Sequence, residues 1–256
     1  DWTRTDLKFQ VPSGAYALRF DQKKFAAFDL YILKRANAQN DYAQSEIIEA
    51  KAVFDAMSAA QRDTLTDTII AGLPGKMTDS YALDSFREQL AQYQAIDSET
   101  LRANLLRFLD FILPLAEQHG VKLAIHPDDP PRDMFGLPRI ICTADDLNIL
   151  FERAPSPANG ITLCVGTYGS RPDNDLPQMA KDFGDRIHFS HLRGVTRDPS
   201  EPRSFYEANH LDSDIDMVQV IKNLLIEERK RQHTGQSTDE NPSEIFIRPD
   251  HGHQMM

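Results

Sequence analysis

Between residues 21 and 118 apolar side chains recur at intervals of three and four, the spacing that gathers them on one face of an α-helix. Phe25, Phe28, Ile32 and Leu33 form one such stripe, and Ile47, Ile48, Val53, Phe54 and Met57 form another after Ser45. A third helix is predicted from Ser58 to Leu73, ended by Gly72, Pro74 and Gly75. A pair near 84–95 and 98–119 closes at Gly120, with Pro114 as a kink or irregularity. Residues 1–20 read as irregular to extended, with Pro12, Ser13 and Gly14 turning between two short apolar stretches.

After Gly120 the rhythm changes to short apolar runs separated by helical patterns. Val121–His126, Ile161–Val165, Arg186–His191 and Glu244–Arg248 are the four strand candidates. Helices are expected from a Thr143–Asp146 capping box to Arg153, near 175–183, and over 213–232, where Arg229, Lys230 and Arg231 suit the negative end of a helix. The polar run Gly235–Ser243 reads as a surface loop. Strands alternating with helices are the pattern of a parallel sheet, because parallel neighbours need a long crossover, so the chain is expected to be α/β.

Composition narrows the class. At 256 residues and 41% hydrophobic content, the chain can bury one large α/β core or two small ones. No apolar run has the roughly 18 residues of a membrane span, and Asp1–Arg4 lacks signal-peptide character, which leaves a cytoplasmic protein as the expectation. A net charge of -11 without a basic stripe argues against nucleic acid as a partner. Cys142 and Cys164 are too few for a disulfide framework and fit a reducing compartment. The missing initiator Met and the stop just after a strand-like run suggest a piece of a longer protein.

The chemistry lies at the strand ends. His126, Cys164, His191 and Asp250 each fall at or just past the C-terminal end of a predicted strand, and in a parallel barrel those ends share one face. Taken singly, each has an ordinary explanation: a hydrogen-bonded histidine, a small buried thiol, an aspartate that caps or pairs. Together they make a metal site the better reading, since structural residues have no reason to be of ligand type at four strand ends. His251, beside Asp250, is a candidate for proton transfer because imidazole titrates near neutrality. Asp128 and Asp129 form either a second acidic pair or loop-shaping carboxylates among prolines. His188 should face away from His191 by strand alternation, Cys142 is expected in the core, and His119, His210 and His233 are expected in helix-end, loop and solvated positions.

The segments His126–Pro131, Gly136–Ile140, Ser190–Arg193 and Arg248–Met255, with Asp1–Asp6 and Ile70–Gly75, resemble mannonate dehydratase along essentially the whole chain. The resemblance implies a TIM (β/α)8 barrel related to the xylose isomerase group, incomplete in this chain, with residues 1–256 as one partial domain and 21–118 as a helical segment within it. It implies a hydro-lyase that converts D-mannonate to 2-keto-3-deoxy-D-gluconate in hexuronate (glucuronate) breakdown, usually with Mn2+. Its ligands would be His126, Cys164, His191 and Asp250, with His251 as the catalytic histidine. Arg193 and Arg248 are candidates for contacts to the substrate carboxylate or hydroxyls, because a guanidinium fork matches a carboxylate. By donor softness the same set suits Fe2+ or Zn2+, the latter as an adventitious occupant. Full-length relatives carry further N- and C-terminal portions, the second with a catalytic tyrosine, and a homo-oligomer is expected. Competing readings are a sugar isomerase or epimerase on the same scaffold, and a non-catalytic binding domain.

Overall fold

The computed structural model describes residues 3–71, 83–233 and 244–253. Strands β1 (Asp6–Gln10) and β2 (Tyr16–Phe20) pair antiparallel around a turn in which Gly14 takes a left-handed φ of 88°. Helix α1 (Gln22–Ala27) starts where the Asp21 carboxylate accepts the amides of Lys23 and Lys24, and it widens into a π turn over Phe28–Ile32. Helices α2 (Gln44–Ala56), α3 (Ala59–Ala71), α4 (Leu83–Tyr93) and α5 (Ser98–Gln118) follow. The residues expected to end α3, Gly72, Pro74 and Gly75, lie outside the described residues, as do the Gly235–Ser243 run, Gln254 and Met255.

Strand β3 (Leu123–Ile125) then leads to α6 (Ala144–Arg153), whose reciprocal Thr143–Asp146 cap matches the sequence expectation. The remaining elements are β4 (Asn159–Cys164), α7 (Val165–Gly169), α8 (Leu176–Asp182), β5 (Ile187–His191), β6 (Gly194–Asp198), β7 (Glu201–Ala208), α9 (Met217–His233) and β8 (Phe246–Arg248). All four predicted strands are present, and they form one parallel sheet in the order β3-β4-β5-β8. Every residue of β4 is buried, and its two polar side chains, Asn159 and Thr162, donate to the Ala154 and Ala124 carbonyls.

A second sheet, antiparallel and ordered β1-β2-β7-β6, has no counterpart in the sequence reading. The segment read as irregular to extended is a hairpin, and the unassigned stretch after His191 is another, with Phe20 opposite Phe205 where they join. Helix α9 begins at Met217 rather than at 213, because Asp214 is drawn to the Arg197 amide and Asp216 accepts the Gln219 amide in its place. One hydrophobic cluster unites both sheets, taking Phe20, Val195 and Phe205 from one and Ile161, Leu163 and Ile187 from the other. Among the described residues no helix is long and apolar enough to cross a membrane.

Candidate metal centre

The parallel register creates the site. Cys164 and His191 are paired positions on β4 and β5, and His126 follows the last residue of β3. One ligand atom from each of His126, Cys164 and His191 falls within 4.8 Å of the others, and the two imidazole rings stand 5.2 Å apart. His126 Nδ1 lies 2.7 Å from the Pro127 carbonyl, so a tautomer donating there keeps its lone pair on Nε2. His191 Nδ1 is buried without a hydrogen-bond partner among the described residues. Burial alone would raise the Cys164 thiol, but the charge of Arg193 and hydrogen bonds from both histidines outweigh it and lower its pKa to about 5. A thiolate, two imidazoles and an orphaned ring nitrogen fit a divalent cation.

Asp250 stands at the rim of this group, outside the three mutually close residues. Its carboxylate is 3.7 Å from His191 Nδ1, 3.9 Å from Arg193 Nε and 3.9 Å from Arg248. The backbone at Asp250 is left-handed, with φ of 63°, a conformation that aspartate tolerates better than most residues. Arg248 leaves 65% of its side chain exposed. His251 Nε2 lies 3.2 Å from Arg193 Nη1 and must accept there, which puts a neutral ring's proton on Nδ1, 3.4 Å from Glu207 Oε1.

Beside the cluster lies an ionic network that sequence reading missed. Arg4 grips Asp129 with both terminal nitrogens, at 2.9 and 3.0 Å, and reaches Glu207 at 3.1 Å. Arg193 joins Glu207, Asp129 and the Thr167 hydroxyl, and Thr167 in turn lies 3.1 Å from the Cys164 sulfur. All four charged groups are buried. Burial pushes Asp129 and Glu207 toward the neutral form, yet the guanidiniums hold both carboxyls below the usual carboxylate range. Gly166 is required here, because a Cβ would collide with the Arg193 side chain.

The two aspartates of the Pro-rich loop divide the alternatives left open for them. Asp128 shapes the loop by accepting the Ile140 and Ile141 amides, while Asp129 belongs to the buried network. His210 holds the Pro249 carbonyl at 2.9 Å and His253 holds the Glu207 carbonyl at 2.8 Å, so both fasten the segment that carries Asp250 and His251. Of these, only His210 drew comment in the sequence, as a loop residue. His188 bonds the Leu123 carbonyl and is held neutral, near pKa 4, chiefly by burial. Cys142 is buried as expected, its thiol pushed up to about 12 by burial and by Asp128 and Asp146.

The family model described as D-mannonate dehydratase matches residues 1–256. A mannonate dehydratase of Marinomonas sp. (strain MWYL1) is 51% identical over 257 residues, covering 100% of this chain and 64% of that protein. One from Saccharophagus degradans is 51% identical over 255 residues, covering 100% of this chain and 62% of that protein. The crystal structure of mannonate dehydratase from Streptococcus suis serotype 2 superimposes with a TM-score of 0.64 at 31% identity, covering 100% of this chain and 54% of that one. The chain thus spans less than two thirds of the length of the relatives it matches.

Proposed function

The chain belongs to the D-mannonate dehydratase family, and from that membership we propose that it carries the metal site of a hydro-lyase converting D-mannonate to 2-keto-3-deoxy-D-gluconate in hexuronate breakdown. The observation that carries this reading is the convergence of His126, Cys164 and His191 at the C-terminal ends of three parallel strands. Asp250 is proposed as the fourth ligand, and its support is the carboxylate 3.7 Å from His191. Mn2+ is the metal we favour, with Fe2+ possible and Zn2+ as an accidental occupant. When bound, the cation supplies Lewis-acid polarisation of the substrate carboxylate and its neighbouring hydroxyl.

The chain's own groups then have definable tasks. We assign proton transfer to His251, whose ring is half-exposed and backed by Glu207 and Arg193. Arg248 is the better candidate for the substrate carboxylate, because its guanidinium is exposed beside Asp250. Arg193 was a second candidate; its bonds to Asp129, Glu207, Thr167 and His251 favour a positioning role instead. We further propose that the parallel sheet is part of a (β/α)8 barrel forming a single domain, with residues 21–118 as its helical segment. A cytoplasmic location is supported by two unpaired cysteines.

The test is incubation of the protein with D-mannonate and Mn2+, followed by the thiobarbituric reaction for a 2-keto-3-deoxy acid. Product formation that disappears in His251→Ala, while bound metal persists, is the expected result. Failure to release water from any hexonate removes the reading, and an isomer of unchanged mass would replace it with a sugar isomerase.

A further inference from the structure

A cavity of about 680 Å³ opens beside the β1–β2 hairpin, and none of His126, Cys164, His191, Asp250 or His251 lines it. Its walls carry five arginines against three aspartates, in a protein whose net charge is -11. Most of that positive charge is answered locally. Arg35 pairs with Asp29 and Asp41, Arg171 with Asp173, and Arg203 with Glu201 and Glu46.

Arg139 donates to the Pro130 carbonyl, and Arg132 stands apart from the three paired arginines. Its guanidinium donates to two neutral carbonyls, those of Arg203 at 2.9 Å and Ser170 at 3.5 Å, and among the described residues it has no carboxylate partner. Arg132 is half-buried, and a cation drawn partly out of water is stabilised by a counter-charge. Burial, with Arg171 and Arg203 close by, lowers the Arg132 pKa to about 10, and the more distant Glu201 and Asp129 offset this only in part. Phe20, Phe25 and Phe135 supply the apolar part of the wall, with the Arg132 guanidinium 5.8 Å from the centre of the Phe20 ring.

We propose that this cavity is a second small-molecule site, taking a metabolite that bears a phosphate or carboxylate group, with Arg132 as its anion anchor and Arg171 beside it. A guanidinium fork matches either oxyanion. The volume lies within the roughly 300–1,000 Å³ of small-molecule pockets, so a sugar-sized anion fits better than a bare ion. The bland alternative is that Arg132 only clamps the start of β7 to the end of α7.

Calorimetric titration of metal-stripped protein, at constant ionic strength in chloride, separates the two. Inorganic phosphate and D-gluconate are titrated separately, so that the arm that binds identifies the anionic group. Saturable binding of at least one is expected, weakened about tenfold or more in Arg132→Gln and by a smaller factor in Arg171→Gln. Circular dichroism and Tm of each variant verify folding, and Arg171→Gln decides the matter should Arg132→Gln fail to fold. Absence of saturable binding to the metal-stripped protein, or undiminished binding in the folded variants, overturns the proposal. None of these results depends on dehydratase activity, so the two readings fail separately.

Discussion

A single thiol illustrates how far neighbours set chemistry. Cys164 sits among Arg193, His126 and His191, which bring its pKa to about 5 against the roughly 8.5 of a free cysteine. In metal-free protein the thiolate ultraviolet absorbance of Cys164 should therefore rise with a midpoint near pH 5, with Cys164→Ala as the blank. A midpoint near the ordinary thiol value would contradict the geometry. The sign for stability follows from the lowered folded value: the contribution is complete above about pH 8.5, shrinks as pH falls, and is gone below the folded pKa. Asp250 offers a second residue-scale prediction, because its φ of 63° is one that asparagine shares and alanine resists. Asp250→Asn should keep the wild-type Tm and lose roughly tenfold or more in metal affinity, as measured by competition with a chelator. Asp250→Ala should lose about 1 kcal/mol of stability besides.

Among the elements, α5 contains an evident local conflict. Pro114 lies inside a helix that runs on to Gln118, so one backbone hydrogen bond is missing and the ring crowds the preceding turn. Its side chain is exposed, and replacing it removes no core contact. Pro114→Ala should stabilise the protein by about 1–3 kcal/mol in urea denaturation, and a loss of stability would mean that the proline serves packing. The four parallel strands were legible because short runs carrying Ile, Leu, Val and Phe between helical patterns read as strands, although only β4 is buried throughout while β3 is partly exposed and β8 exposed. The β6–β7 hairpin was not, since Pro199 and Pro202 break its pattern and its charged positions alternate with few apolar ones. Site legibility divides the same way. Ligand-type residues at strand ends stand out in sequence, whereas Arg4, Asp129 and Glu207 look like surface charges until burial, a tertiary property, brings them together.

At the scale of the whole molecule, that buried quartet couples the two sheets. Arg4 precedes β1, Asp129 follows β3, Arg193 follows β5 and Glu207 lies on β7, so four separate chain segments are tied together beside the His126, Cys164 and His191 group, which Arg193 reaches through Thr167. Two guanidiniums and two carboxylates balance, and removing one leaves buried charge without compensation. Arg4→Met should therefore cost about 3–5 kcal/mol at neutral pH, although Arg4 touches none of the proposed ligands. In the wild type, Asp129 and Glu207 have lowered pKa values, so their stabilisation is present above about pH 4 and is lost as pH drops through their folded values. In Arg4→Met the carboxylates keep their burial and lose a partner, which raises their proton affinity and reverses part of that dependence. The stability gap between variant and wild type, followed by urea denaturation, should accordingly narrow as pH falls below about 4. A cost under about 1 kcal/mol at pH 7, as for an exposed ion pair, would show that the sheets are held together by their shared apolar core alone.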